Sequence, residues 1–189
     1  KNAGCRNGAG ILIWSANLFF MTASQIRVRP ANTGDVAAIM ELRRPIEGSI
    51  VLLSRERVVW YEQIQEIVVA IDADDRVVGA GALHVMWEDL AEVRSLVVAE
   101  NMRGKGVGHA ILEFLLERAK NIGIKRVFCL TFETEFFGKH GFEAISDVPV
   151  DAATYEEMLR SHDDGVAEFL DLARVKQNTL GNTRMLKLL

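Results

Sequence analysis

Six residues near the middle of the chain, Arg103-Gly-Lys-Gly-Val-Gly108, narrow the available folds more than any others. A strand-like run, Leu90 to Ala99, leads into them. A helical pattern leaves them, with Val107, Ile111, Phe114, Leu115, Ala119 and Ile122 on one face and Gly123 just past the end. A glycine loop entering a helix is a ready anion site, because backbone N–H groups point outward and the helix N-terminus is partly positive. Three phosphate-binding loops share this outline. A Walker loop needs Ser or Thr after Gly-Lys, but Gly106 follows Lys105. A dinucleotide fingerprint needs a third glycine where His109 stands, and an early βαβ unit. What remains is Arg-x-x-Gly-x-Gly after an antiparallel strand, matched by Arg103, Gly106 and Gly108, whose amides cradle a pyrophosphate.

The surrounding pattern agrees with that third loop. Ile26 to Arg29 alternates apolar and charged residues, as a half-buried strand does. Thr33-Gly34-Asp35 starts a helix through Val36, Ile39, Met40 and Arg43, and Pro45 and Gly48 break it. Ser54 is placed to N-cap a second helix through Val58, Tyr61 and Ile64. Runs at 67–71, 76–86 and 90–99 read as consecutive antiparallel strands, the first two joined by the acidic turn 72–75. After the central helix, 126–132 is a short apolar strand, 133–140 a helix, and Gly141-Phe142 turns into another strand. Ala152 to Arg160 reads as a helix, 163–165 as a turn, and 184–189 as a terminal strand. The order predicts one mixed α/β sheet, largely antiparallel, flanked by helices and closed by a C-terminal helix-strand extension.

Composition limits partners and chemistry. The 22 basic and 26 acidic residues leave a net charge of −4, which argues against nucleic acid and anionic membrane surfaces. Two cysteines, Cys5 and Cys129, exclude a disulfide framework and a Cys-rich zinc site. The four histidines and scattered acids show no metal-ligand spacing along the chain, so no metal is expected. Cys129 in its apolar run reads as a buried hydrophobe of a reducing, cytoplasmic setting. The apolar stretch from Ile11 to Met21 is too short for a membrane span and is interrupted by Ser15 and Asn17. Residues 1–20 are expected to be a non-native or upstream extension, with 21–189 as a single domain.

With these elements in order, residues 26–146 resemble the GNAT superfamily of acetyl-CoA-dependent N-acetyltransferases, through Leu96-Val-Val98 followed by Arg103-Gly-Lys-Gly-Val-Gly108. Further segments are similar to one family within it. Gly48-Ser-Ile-Val51, Ala91-Glu-Val93, Val127-Phe-Cys-Leu-Thr131, Phe136-Phe-Gly-Lys-His-Gly-Phe142 and Asn178-Thr-Leu-Gly-Asn-Thr-Arg-Met-Leu186 resemble the acetyltransferase part of N-acetylglutamate synthase, in its short stand-alone actinobacterial form. The resemblance implies a small amino-acid substrate, acetyl-CoA as cosubstrate without a metal, a role in arginine biosynthesis, and leaves a homodimer open. It implies that the loop residues Arg103, Gly104, Lys105, Gly106, Val107, Gly108 and His109 hold the cofactor's pyrophosphate. Leu96, Val97 and Val98 would line its arm, with Phe137 packing on it. The backbone N–H of Leu96 or Val97 would face the acetyl oxygen, where one donor supplies roughly 3 kcal/mol of transition-state stabilisation. Phe137 stands where many GNAT enzymes carry a Tyr that protonates the leaving thiolate, and Tyr61 and Tyr155 are the chain's two tyrosines.

The attacking amine must lose a proton. Glu92 is the first choice of general base, two residues from Arg94 and so on the same face of the strand. A salt-bridged strand residue is the competing reading, and His84 on the neighbouring strand is the second candidate. An acidic amino acid brings two carboxylates, which call for guanidinium, ammonium or amide donors. Arg94 leads this group, because a charge on a central strand is costly unless paired or ligand-bound. Ser54, Asn178, Asn182 and Arg184 follow as substrate contacts, with Lys176 behind them.

Overall fold

The computed structural model describes residues 20–21, 26–45, 56–172 and 182–189. Ser54, Lys176 and Asn178 lie outside the described residues.

Among the described residues, eight strands form one sheet in the order β1-β2-β3-β4-β5-β6-β8-β7. They are β1 (Phe20–Met21), β2 (Arg27–Pro30), β3 (Ile67–Ile71), β4 (Val77–Val85), β5 (Leu90–Val98), β6 (Arg126–Thr131), β7 (Glu143–Ala144) and β8 (Thr183–Leu188). Every neighbouring pair is antiparallel except β5 and β6, which run parallel. A parallel pair needs a crossover. Helix α3 (Val107–Asn121) supplies it, entered through the glycine loop and ended by Gly123 in the left-handed region. Phe20, inside the segment set apart as an extension, pairs with Val28 at the sheet edge.

Two faces of the sheet carry different cores. On one face α3 and α4 (Thr134–Lys139) cover Val28, Val68, Leu83, Val93, Val127 and Phe142. On the other face α1 (Val36–Arg43) and α2 (Arg57–Glu62) cover Val69, Ala80, Ala82 and Val97. Further along that second face, α5 (Ala152–Met158) and α6 (Asp164–Phe169) cover Leu90 and Phe128. The turn read at 163–165 is the start of α6, with Asp163 as its N-cap accepting from the Val166 N–H. Asp is favoured at caps and turns for the same reason, a side-chain oxygen that accepts from a nearby backbone amide, so the local sequence suits both. No helix among the described residues is long and apolar enough to cross a membrane.

Helix α3 lies unusually close to β4. A methyl group on Gly79 would stand 2.8 Å from Ile111 Cδ1, and one on Gly81 would stand 2.9 Å from Ile111 Cγ2. Gly81→Val is therefore an overpacking change that pushes α3 off the sheet. It is expected to lower stability by about 2 kcal/mol, read as a shift of the urea midpoint at unchanged slope.

Candidate active site

Strand β5 parts from β6 a third of the way along its length. The two pair over three positions, Leu90↔Arg126, Ala91↔Val127 and Glu92↔Phe128. Beyond them β6 continues to pair with β8 as far as Thr131, while β5 turns away along β4. The divergence coincides with a bulge. Ala82 faces Arg94 and Ala80 faces Val97, so Ser95 and Leu96 together oppose the single residue Gly81. Ser95 takes φ +59°, a left-handed conformation that is costly without glycine and typical of functional sites. The bulge turns the backbone of Leu96 and the residues after it, and leaves Ser95, Leu96 and Val98 half-buried at the mouth of a wedge.

The glycine loop lies just beyond the open end of β5. A short 3-10 turn, Glu100–Met102, leads into it. Gly104 and Gly106 take φ +73° and +81°, conformations that glycine adopts without steric cost. No other atom comes within 4 Å of a methyl position at either glycine, so the loop backbone is open to a ligand. Arg103, Lys105 and His109 are exposed around it. Phe137 is a core residue, 5% exposed and edge-on to Phe136 and Phe142. It is Phe136 that approaches the loop, 3.6 Å from a methyl position on Gly108.

A charged cluster fills the seam between the two helix pairs on the second face of the sheet. Arg94, 7% exposed, donates to Asp163 at 2.9 Å and to Glu66 at 3.0 Å, with Glu92 3.6 Å away. His84 pairs with Glu66 through Nδ1 at 2.9 Å and stands 3.6 Å from Asp163 through Nε2. Glu92 is 4% exposed. A methyl group on Gly165 in α6 would be 2.2 Å from its Oε2, so a side chain there would have to push the Glu92 carboxylate aside. Burial works to raise the carboxyl of Glu66, but His84 and Arg94 outweigh it and hold it below its ordinary range. Asp163 is also pulled down, burial being overcome by its bond to Arg94 and by the charges of Arg94 and His84. Burial likewise opposes charge on Arg94, and Glu92, Asp163 and Glu66 reverse it, so the guanidinium stays protonated.

The alternation of β5 puts Glu92 and Arg94 side by side, as the sequence indicates. Glu66 and Asp163 are reachable from no local pattern. They lie 28 and 69 residues from Arg94 and are assembled by the fold. Arg184 is held elsewhere. It donates to the carbonyls of Phe169, Ser146 and Asp147, tying β8 to the end of α6 and to the loop after β7. Asn182 stands half-buried just before β8.

A strand that opens into a wedge, next to an outward-facing anion loop at a helix N-terminus, defines a site for a long phosphorylated acyl carrier. The chain belongs to the acetyltransferase (GNAT) family, whose profile matches residues 36–142. It is an acetyltransferase that uses acetyl-CoA. It is 52% identical to the amino-acid acetyltransferase of Mycobacterium tuberculosis over 164 residues, 86% of this chain and 94% of that one. The solved structure of Rv2747 from Mycobacterium tuberculosis, in complex with CoA and NLQ, superposes with a TM-score of 0.82 at 51% identity, covering 86% of this chain and 98% of that one. N-acetylglutamate synthase from Neisseria gonorrhoeae, complexed with coenzyme A and N-acetyl-glutamate, superposes with a TM-score of 0.69 at 25% identity. That match covers 87% of this chain and 35% of the longer protein.

Proposed function

We infer that the protein acetylates the α-amine of L-glutamate with acetyl-CoA, the first step of arginine biosynthesis, in the cytoplasm. The observation that carries this reading is the parting of β5 from β6 beside the Ser95 bulge, with the glycine loop at its open end. An acyl carrier's amide-bearing arm adds to the Val98 edge as a short strand, and the amides of the 103–109 loop receive its pyrophosphate. The backbone N–H of Leu96 or Val97 then meets the oxygen of the tetrahedral intermediate.

Glu92 is the general base. It takes the amine proton, directly or through one water, and Arg94, 3.6 Å away, holds its carboxylate in place. Arg94 is thus a positioning residue as well as a source of positive field toward the substrate. Ser54, Asn178 and Asn182 remain the residues proposed to order the substrate's carboxylate end; the guanidinium of Arg184 is already engaged by the carbonyls of Phe169, Ser146 and Asp147. The similarity to N-acetylglutamate synthase over most of the chain favours glutamate. One observation favours glutamine as a second substrate: the guanidinium of Arg94 already faces three carboxylates of its own chain, and an amide asks for less positive charge than a γ-carboxylate.

The test is coenzyme A release from acetyl-CoA by the purified protein, against the twenty amino acids and spermidine. Release with glutamate well above the rest is the expected result. Release with glutamine alone replaces the substrate but keeps the chemistry. Silence across the panel, with acetyl-CoA still bound, overturns the reading in favour of a non-catalytic acyl-CoA sensor.

A further inference from the structure

We propose that the side chains of His109, Glu113 and His140 form a binding site for a zinc-class divalent metal ion, on the outer face of α3 beside the cofactor loop. The three come from two rigid places. His109 and Glu113 stand one turn apart on α3, an i,i+4 pair that shares a face. His140 caps the C-terminus of α4. One ligand atom from each lies within 4.8 Å of the others. The linear sequence hides the set, because His140 lies 27 positions after Glu113 and only the packing of α4 beside α3 joins them.

The hydrogen bonds define which ring nitrogens can coordinate. His140 Nδ1 donates to the Phe136 carbonyl at 2.8 Å, so its Nε2 presents a lone pair. A backbone carbonyl fixing one imidazole nitrogen is the usual support for a metal-binding histidine. That Nε2 faces His109 Nδ1 at 2.7 Å, so without metal the second ring must hold a proton between them. His109 Nε2 meanwhile points to Glu113 Oε1 at 3.9 Å. Two nitrogens on a tetrahedral zinc at about 2.1 Å stand about 3.4 Å apart. A small rotation of the exposed His109 ring supplies that separation, and the metal replaces the shared proton.

The donor set decides the class of ion. Two imidazoles and one carboxylate suit zinc and its neighbours, whereas magnesium and calcium require oxygen ligands. Three protein ligands leave a fourth position open to the groove of about 440 Å³ beside them. Lys120, Lys139 and Lys187 also line that groove. Their charge opposes a bare dication and favours an anion or hydroxide at the open position.

The experiment is calorimetric titration of tag-free full-length protein with zinc chloride, repeated with magnesium chloride. One equivalent of zinc bound at micromolar affinity or tighter, with no magnesium heat, is expected. Cobalt in place of zinc should give the visible absorption of a tetrahedral centre. His140→Ala and Glu113→Gln should each weaken zinc by at least the 10- to 100-fold typical of outer-shell losses, while Lys187→Ala keeps it. Glu113 is an exposed helix residue, so its variant carries the test even if His140→Ala folds poorly. Absence of a zinc equivalent, or unchanged affinity in Glu113→Gln, overturns the site.

Discussion

Arg94→Ala is expected to lower folding stability by about 3 kcal/mol at neutral pH, because it strands three carboxylates in the seam between the helix pairs. Asp163, Glu66 and Glu92 lie 2.9, 3.0 and 3.6 Å from its guanidinium. The measurement is urea unfolding of both proteins across pH. The folded-state carboxyls of Glu66 and Asp163 are held below their unfolded values, so the stability they contribute is fully present above about pH 4, the unfolded range. It is lost as pH falls through the folded values. The variant lacks most of that contribution, and the gap between the two proteins should close on acidification. Arg94→Lys should fall between them, since one ammonium replaces a two-armed fork. A loss under about 1 kcal/mol for the alanine variant, or a gap that widens in acid, would mean that the cluster is solvated and not structural.

The second large effect is on turnover. Glu92→Gln keeps the shape of the side chain beneath Gly165 but removes the basic carboxylate. It is expected to lower kcat about 100-fold or more, with little change in the KM for acetyl-CoA. His84→Gln is the companion variant. Its ring touches both Glu66 and Asp163, so it tests whether the proton instead leaves through the histidine. Full turnover in Glu92→Gln with loss in His84→Gln would transfer the role to His84.

The parts of this molecule that follow local rules are readable in its sequence. The central strand, the glycine loop and the amphipathic α3 appear where periodicity and φ-permissive residues put them. Alternation likewise sets Glu92 beside Arg94. The rest depends on tertiary placement. Ser95 carries no glycine to announce its left-handed backbone, yet it creates the bulge from which the wedge opens. Asp163 reads as a turn residue and acts as a helix cap whose other oxygen reaches Arg94. Phe136 and Phe137 differ by one position, and helix geometry alone decides that Phe137 is core and Phe136 borders the loop. His140 reads only as the end of the 133–140 helix, and it meets His109 because α4 packs beside α3.

The incomplete pairing of β5 and β6 also changes how the protein's robustness should be described. A sheet left open by design is stabilised by whatever closes it. A ligand that binds the folded chain alone adds RT ln(1 + [L]/Kd) to its unfolding free energy, about 2.7 kcal/mol at a hundredfold excess over Kd. Resistance to heat and to proteolysis then becomes a function of ligand concentration. Unfolding resistance of the purified protein should rise with the acetyl-CoA concentration in the tube.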